Sequence, residues 1–146
     1  MHRLLVTGVK GQIGRSIKLR VEHRFWHVLL TDIDTLDITN AEQVSVVFAQ
    51  FKPNVVINTA AYTRVDEAEE KTELAGSVNA YGPYLLAKQC QKIDALLIHF
   101  STEYIFSGHD KNSYLETDIP APLNVYGRTK LQGELCIKAY LTNYII

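Results

Sequence analysis

The sequence predicts an α/β domain built as a doubly wound parallel sheet, and three observations carry that prediction. Apolar runs of strand length alternate with helical patterns along the whole chain, the signature of repeated βα units. The runs are almost continuously hydrophobic, as strands covered by helices on both faces must be. A glycine stands at every third position, Gly8, Gly11 and Gly14, directly after the first run and before the first helical pattern. There a parallel sheet presents its first strand end, and a helix N-terminus, to an anion, near a switch point expected between the first and fourth strands.

The elements follow in order. Strands are predicted at Arg3–Val6, His27–Thr31, Val55–Asn58 and Ala95–Ser101, each a compact aliphatic run. Helical periodicity covers Gln12–Glu22, Ala41–Gln50, Val65–Lys71, Thr72–Lys92 and Val125–Tyr140. Thr39 and Asn40 offer an N-cap to the second helix. Pro83 inside the longest pattern has no N–H, so a bend or one opened hydrogen bond is expected there. Ser107–Leu123, with Gly108, Asp110, Asn112, Asp118, Pro120 and Pro122, has no period and reads as a surface loop from a strand end to the last helix. The final Asn143–Ile146 reads as the beginning of a further strand, so the sheet is expected to be truncated after its fifth or sixth strand. An apolar edge left there is expected to seek a partner, giving a homo-oligomer.

The 146 residues, 47% apolar and 21% charged, suit one domain. Fifteen Lys+Arg against sixteen Asp+Glu give a net charge of -1, which supplies no basic field for nucleic acid or an anionic membrane. No apolar stretch reaches bilayer length and residues 1–8 are strand-like, so a soluble, cytoplasmic protein is expected. Cys90 and Cys136 lie in two different helical patterns without a CxxC spacing and read as reduced core residues.

In the glycine loop, Gly8 allows a tight turn, Gly11 allows backbone to approach a pyrophosphate, and Gly14 allows the helix to pack close to the sheet. Lys10, Gln12 and Ile13 belong to the same phosphate cradle. Asp32 and Asp34 follow the second strand, eighteen and twenty residues beyond Gly14, where a carboxylate accepts the adenosine ribose hydroxyls. Asp32 favours NADH, whereas Lys10 and Arg15 offset it towards NADPH, and the choice stays open. Asp37 and Ile38 either reach the adenine or only support the turn before the next helix.

Tyr126 and Lys130, four residues apart, share one helical face. An ammonium beside a phenol stabilises phenolate and lowers its pKa, so such a pair can pass a proton to a carbonyl oxygen. A second pair, Tyr84 and Lys88, has the same spacing but lies inside a covering helix and reads as packing. Tyr126 instead follows the exit loop of the strand ending at Ser101-Thr102, at the carboxyl edge where ligands bind. Thr102 can donate to the same carbonyl oxygen, with Ser101 as competitor if the strand ends one residue earlier. His23 and His27 have the spacing of a helical metal pair but no third ligand, and Asp66, Glu67, Glu69 and Glu70 read as a solvated helix start.

Taken together, several motifs resemble the extended short-chain dehydrogenases/reductases, a Rossmann-type family. They are Thr7-Gly8-x-x-Gly11-x-x-Gly14; Asn58-Thr59-Ala60-Ala61-Tyr62-Thr63-x-Val65-Asp66-x-Ala68-Glu69; Val78-Asn79-Ala80 with Pro83; Ser101-Thr102-Glu103-Tyr104-x-Phe106-x-Gly108; and Pro122-x-Asn124-x-Tyr126-Gly127-x-Thr129-Lys130-x-x-Gly133-Glu134. The resemblance covers essentially the whole chain. It implies that residues 1–146 are a dinucleotide-binding domain whose C-terminal substrate-binding part is absent. It further implies reduction, by NADPH or NADH, of the 4-keto group of a dTDP-linked deoxysugar used for bacterial polysaccharide. Thr102, Tyr126 and Lys130 take the catalytic positions, and Lys130 also holds the nicotinamide ribose. Ala60, Ala61 and Tyr62 are implied cofactor contacts, and Thr63, Thr102, Glu103 and Tyr126 contacts to the nucleotide sugar. Glu103 stands where the family usually has Asp. Ser16 stands where some relatives place a magnesium-site glutamate, so no metal is expected. A different relative of this fold is the regulatory subunit of methionine adenosyltransferase, which gives the alternative of a non-catalytic dinucleotide-binding partner protein.

Overall fold

The computed structural model describes residues 2–21, 26–109 and 113–146. Its strands are β1 (His2–Thr7), β2 (Trp26–Leu30), β3 (Val55–Asn58), β4 (Leu96–His99) and β5 (Tyr144–Ile145). They form one parallel sheet in the order β2-β1-β3-β4-β5. Register runs from Leu5↔Leu29 on one side of β1 to Leu5↔Val56 on the other, then Val56↔Leu97 and Leu97↔Tyr144. Helices α1 (Gln12–Arg20), α2 (Ala41–Phe51), α3 (Val65–Glu70), α4 (Thr72–Gly76), α5 (Gly82–Ile93) and α6 (Val125–Tyr140) complete the described fold.

Leu5, Val56 and Leu97, in register across three adjacent strands, are fully buried on one face of the sheet, while Val55, Ile57, Leu96 and Ile98 are half-buried on the other. Phe48 of α2, Leu86 and Cys90 of α5 and Ile137 of α6 pack into the same core. Asn40 caps α2, its side chain accepting from the backbone of Glu42 and Gln43. α2 and α5 each end on a left-handed residue, Lys52 and Asp94. Cys90 lies in the core as expected, and burial pushes its thiol up to about 12. Cys136, expected in the core too, is only half-buried and lines a shallow hollow with Tyr81 and Tyr84.

Three expectations change. The expected strand Ala95–Ser101 closes at His99, because its neighbour β3 ends at Asn58 and offers only one further carbonyl, to Phe100. The helix expected over Thr72–Lys92 is divided. A π-helical turn at Ser77–Tyr81 separates α4 from α5, and the Gly82 N–H reaches back five residues to the Ser77 carbonyl. Pro83, lacking an N–H and crowding the carbonyl four residues before it, makes that wider turn the accommodation in place of a sharp kink. The reversal of strand order falls between β1 and β3, not between the first and fourth strands. Residues 32–40 form turns held by Asp32 and Asp37 and add no strand outside β2. Glu22 and His23 lie outside the described residues, as do Asp110 and Asn112.

Candidate active site

The glycine loop sits where the strand order reverses, the position at which open α/β sheets leave a crevice. Gly8 has φ +73°, and a Cβ on it would come within 2.5 Å of the Ala60 backbone nitrogen. Any side chain is therefore excluded by conformation and by the close approach of the loop after β3. A Cβ on Gly14 would strike the Gly8 carbonyl and the Val9 Cα; this glycine seats α1 on the loop. Gly11 is exposed, and a Cβ there would meet only the Gly8 carbonyl, at 3.3 Å. No side chain caps α1 and no acidic residue stands in its first turn, which leaves first-turn N–H groups to an anion.

A cleft of about 440 Å³ opens beside this loop, lined by Gly8, Lys10, Gly11, Asp32, Asp37, Ile38, Ala60, Ala61 and Tyr62. Nine of the expected cofactor contacts thus share one cavity of ligand size. Gln12 and Ile13 are exposed on the first turn of α1, outside that lining. Asp32 accepts from the Lys10 N–H at 2.7 Å and from the Ile33 N–H, so its carboxylate also braces the glycine loop. The Lys10 ammonium pairs with Asp34 at 2.9 Å on the surface. Asp37 takes the turn-supporting role, accepting the Thr39 N–H and hydroxyl, while Ile38 is buried against Gly82.

The loop after β3 is clamped from below. Asn79, 1% exposed, accepts the Tyr62 N–H at 2.8 Å and donates to the Tyr62 carbonyl at 3.0 Å and the Thr129 hydroxyl at 3.1 Å. Its position in the π turn brings it there, and its own carbonyl lies where a Cβ on Gly133 would be. The Tyr62 hydroxyl donates to Glu67, which burial and that carboxylate make harder to ionise. Lys71, Tyr62 and Arg64 together hold Glu67 down to about 2. Glu69 accepts the Val125 N–H at the start of α6, so two of the four acidic residues organise the site's floor. Thr63 is exposed beside this loop.

Asn124 caps α6 through the Gly127 N–H, and Gly127 itself allows the Tyr104 carbonyl to touch the helix. This docking sets Tyr126 edge-on to Tyr104, ring centroids 5.6 Å apart, beside Thr102 and Glu103. Burial pushes the Tyr126 phenol above its ordinary pKa; the Thr102 hydroxyl bond works against that, and Glu103 and Tyr104 add to it. The sequence expectation of a phenol lowered by Lys130 is therefore corrected. Lys130, 2% exposed, turns its ammonium to the Phe100 carbonyl at 2.6 Å, with His99 Nε2 at 3.4 Å. Burial brings this lysine down to about 8 despite the opposing pull of Glu134. Ser101 bonds to Glu134, which leaves Thr102 as the hydroxyl on the Tyr126 side. Tyr84 packs among Tyr81 and Tyr140, as its covering position implied. His27 packs on Phe51, and its expected partner His23 is not among the described residues.

Two buried polar residues, Asn79 and His99, received no role from the sequence. Asn79 lay inside a quoted motif, and its signal was an amide flanked by apolar positions in a helix that Pro83 must distort. His99 closes an otherwise aliphatic strand, LLIH, so that a titratable group there has to meet another polar group.

Fold and site together define a Rossmann-type α/β domain carrying the Tyr–Lys arrangement of the extended short-chain dehydrogenases/reductases. The chain belongs to the family of the RmlD substrate binding domain, whose model matches residues 1–146. It is 47% identical over 135 residues to the dTDP-4-dehydrorhamnose reductase of Aggregatibacter actinomycetemcomitans, covering 92% of this chain and 46% of that one. The solved dTDP-4-dehydrorhamnose reductase of Bacillus anthracis, in complex with NADP, superposes with a TM-score of 0.95 at 36% identity, covering 98% of this chain and 51% of that one. Methionine adenosyltransferase 2 subunit beta of Xenopus tropicalis is 35% identical over 143 residues, covering 93% and 42% respectively. The chain spans about half the length of the relatives it matches.

Proposed function

We propose that this chain forms the dinucleotide-binding part of a reductase that converts the 4-keto group of a dTDP-linked deoxysugar, dTDP-4-dehydrorhamnose, to dTDP-L-rhamnose. The observation that supports the reading is that Tyr62, part of the wall of the cleft beside the glycine loop, also packs in the cluster that holds Tyr126. The open face at Gly11, the uncapped start of α1 and the Asp32 carboxylate fit a dinucleotide: backbone donors for pyrophosphate, an acceptor for ribose. NADPH or NADH bound there supplies the hydride. Tyr126 gives its proton to the carbonyl oxygen; burial makes the phenol a weaker acid, so the transfer relies on donors placed to stabilise the charge that develops. Thr102 donates a hydrogen bond to that oxygen. Lys130 lies one turn along α6 and holds the ribose on the nicotinamide side. Thr63 and Glu103, at the exposed rim, face the sugar nucleotide.

Among the described residues no helix is long and apolar enough to cross a membrane, and a cytoplasmic setting with no nucleic-acid partner belongs to this reading. The alternative of a regulatory subunit retains the cleft but gives no task to Thr102 and Tyr126. Calorimetry with NADPH and NADH tests the cofactor site. NADPH oxidation on addition of dTDP-4-dehydrorhamnose, measured on a protein of the relatives' length, tests the reaction. Absence of cofactor binding to the cleft would overturn the reading.

A further inference from the structure

A line of buried polar groups crosses the sheet beneath the site. The Thr7 hydroxyl donates to Asn58 Oδ1 at 2.7 Å, and the Ala60 backbone N–H donates to the same oxygen at 3.1 Å. A backbone N–H can only donate, so it fixes the amide orientation. Asn58 Nδ2 is then the atom that meets His99 Nδ1 at 3.0 Å. Since Nδ2 only donates, Nδ1 carries its lone pair and the proton of the neutral ring sits on Nε2. A second ring proton is disfavoured, because burial and the neighbouring Lys130 hold His99 down to about 3.

The Nε2–H faces Lys130 Nζ, 3.4 Å away, while that amine donates to the Phe100 carbonyl. An N–H and an ammonium oppose one another, whereas an N–H and an amine lone pair attract. The titratable groups around Lys130 are His99 from β4, with Glu134 and Tyr126 from α6. Glu134 favours the ammonium, but its two oxygens are engaged by Ser101 and Lys138.

We propose that His99 is a positioning residue for Lys130: Asn58 locks the imidazole as its Nε2–H tautomer, and that N–H opposes the ammonium and directs the amine to the Phe100 carbonyl. Lys130 therefore releases its proton more readily than burial alone dictates. The catalytic meaning of this rests on the reaction proposed above, in which a lysine exchanging its proton near neutral pH can return one to Tyr126 after each turnover. The proton states themselves do not depend on it.

Nitrogen-15 labelling of histidine and lysine in this chain tests the proposal without any substrate. In the unsubstituted protein, His99 shows an unprotonated Nδ1 and a protonated Nε2 from about pH 8 down to about pH 5, below the ordinary histidine pKa. His99→Phe removes the opposing N–H at similar burial and raises the Lys130 midpoint by about one pH unit, a tenfold gain in proton affinity. Asn58→Asp accepts from Nδ1 instead, exchanges the two ring-nitrogen signals and raises the midpoint further. A proton on Nδ1 in the unsubstituted protein would overturn the proposal whether or not either variant folds. So would a Lys130 midpoint that stays or drops in His99→Phe, the result expected from burial alone. NADPH calorimetry on the unsubstituted protein fails or succeeds independently, which separates this proposal from the proposed reaction.

Discussion

Asn79→Ala is the substitution expected to uncouple the cleft from the core. The side chain makes three hydrogen bonds, two of them to the backbone of Tyr62 and one to Thr129. Each contributes about 1 kcal/mol net, and truncation leaves the half-buried Tyr62 N–H and C=O unpaired at a further 1–3 kcal/mol in all. The expected loss is therefore about 4–6 kcal/mol, a large part of the stability of a domain this size. Part of it stays local, because freeing residues 60–63 lets their backbone reach water. Two measurements separate the parts. Urea unfolding reports the global loss, and amide hydrogen exchange at Tyr62 reports the opening of the loop. NADPH affinity falls with the loop, since Ala60, Ala61 and Tyr62 form one wall of the cleft. A global loss below about 1 kcal/mol with unchanged exchange at Tyr62 would refute the clamp.

Other substitutions and conditions give sharper contrasts. Gly11→Val leaves folding nearly intact, because its Cβ meets only the Gly8 carbonyl at 3.3 Å, yet removes NADPH binding by calorimetry; equal affinity would sink the phosphate-loop assignment. Gly14→Ala does the reverse, lowering the urea midpoint through collision with the backbone of Gly8 and Val9. In a protein of the relatives' length, Tyr126→Phe lowers turnover by on the order of a hundredfold with cofactor binding retained, while Tyr84→Phe is mild. Equal losses would refute the role given to Tyr126. Acid stability follows His99, held at about 3 against an ordinary 6.5. The unfolded chain takes up this proton near 6.5 and the folded chain only near 3, so stability falls as pH drops through that window, by up to about 1.4 kcal/mol per unit. Lys130, held at about 8 against 10.5, has the same sign in a higher window, with stability rising with pH between those values. Urea midpoints measured along the pH scale check both, and His99→Phe should flatten the acid limb.

Much of this is legible in the sequence itself. Strands of a helix-covered sheet have an aliphatic signature, so the sequence bounds Val55–Asn58 correctly and β1 and β2 to within a residue. Gly8, Gly11 and Gly14 announce their roles because the steric demands are local. Tyr126 and Lys130 share a helix face by spacing alone. What spacing cannot show is where a side chain turns once it is buried. The Lys130 ammonium goes to a carbonyl at the end of β4, thirty residues away in sequence, so the low-pKa phenol expected from the pair does not appear. The π turn was half visible, since Pro83 demanded some accommodation, but its form depends on Asn79 meeting Tyr62 and Gly133. Asp37 illustrates the opposite case: its local turn role, accepting from Thr39 two residues on, is readable from the sequence alone.

The site and the fold are joined by the same few atoms. Thr7 ends β1 and Gly8 begins the glycine loop; Asn58 ends β3 and Ala60 begins the cleft wall; His99 ends β4 and Thr102 stands three residues on. The chain of bonds Thr7–Asn58–His99 runs across these three strand ends and meets Lys130 of α6. Each member is buried, so each polar atom must find its partner within the line, and displacing one strand end leaves a buried donor or acceptor unmatched. Parallel strands all finish at the same edge, which makes such a line possible there. The loops that leave this edge therefore start from fixed points, while their tips, at Gly11, Thr63 and Glu103, stay exposed. A scaffold of this kind holds the Tyr126 phenol and the cleft beside the glycine loop in constant relation without requiring the loops themselves to be rigid.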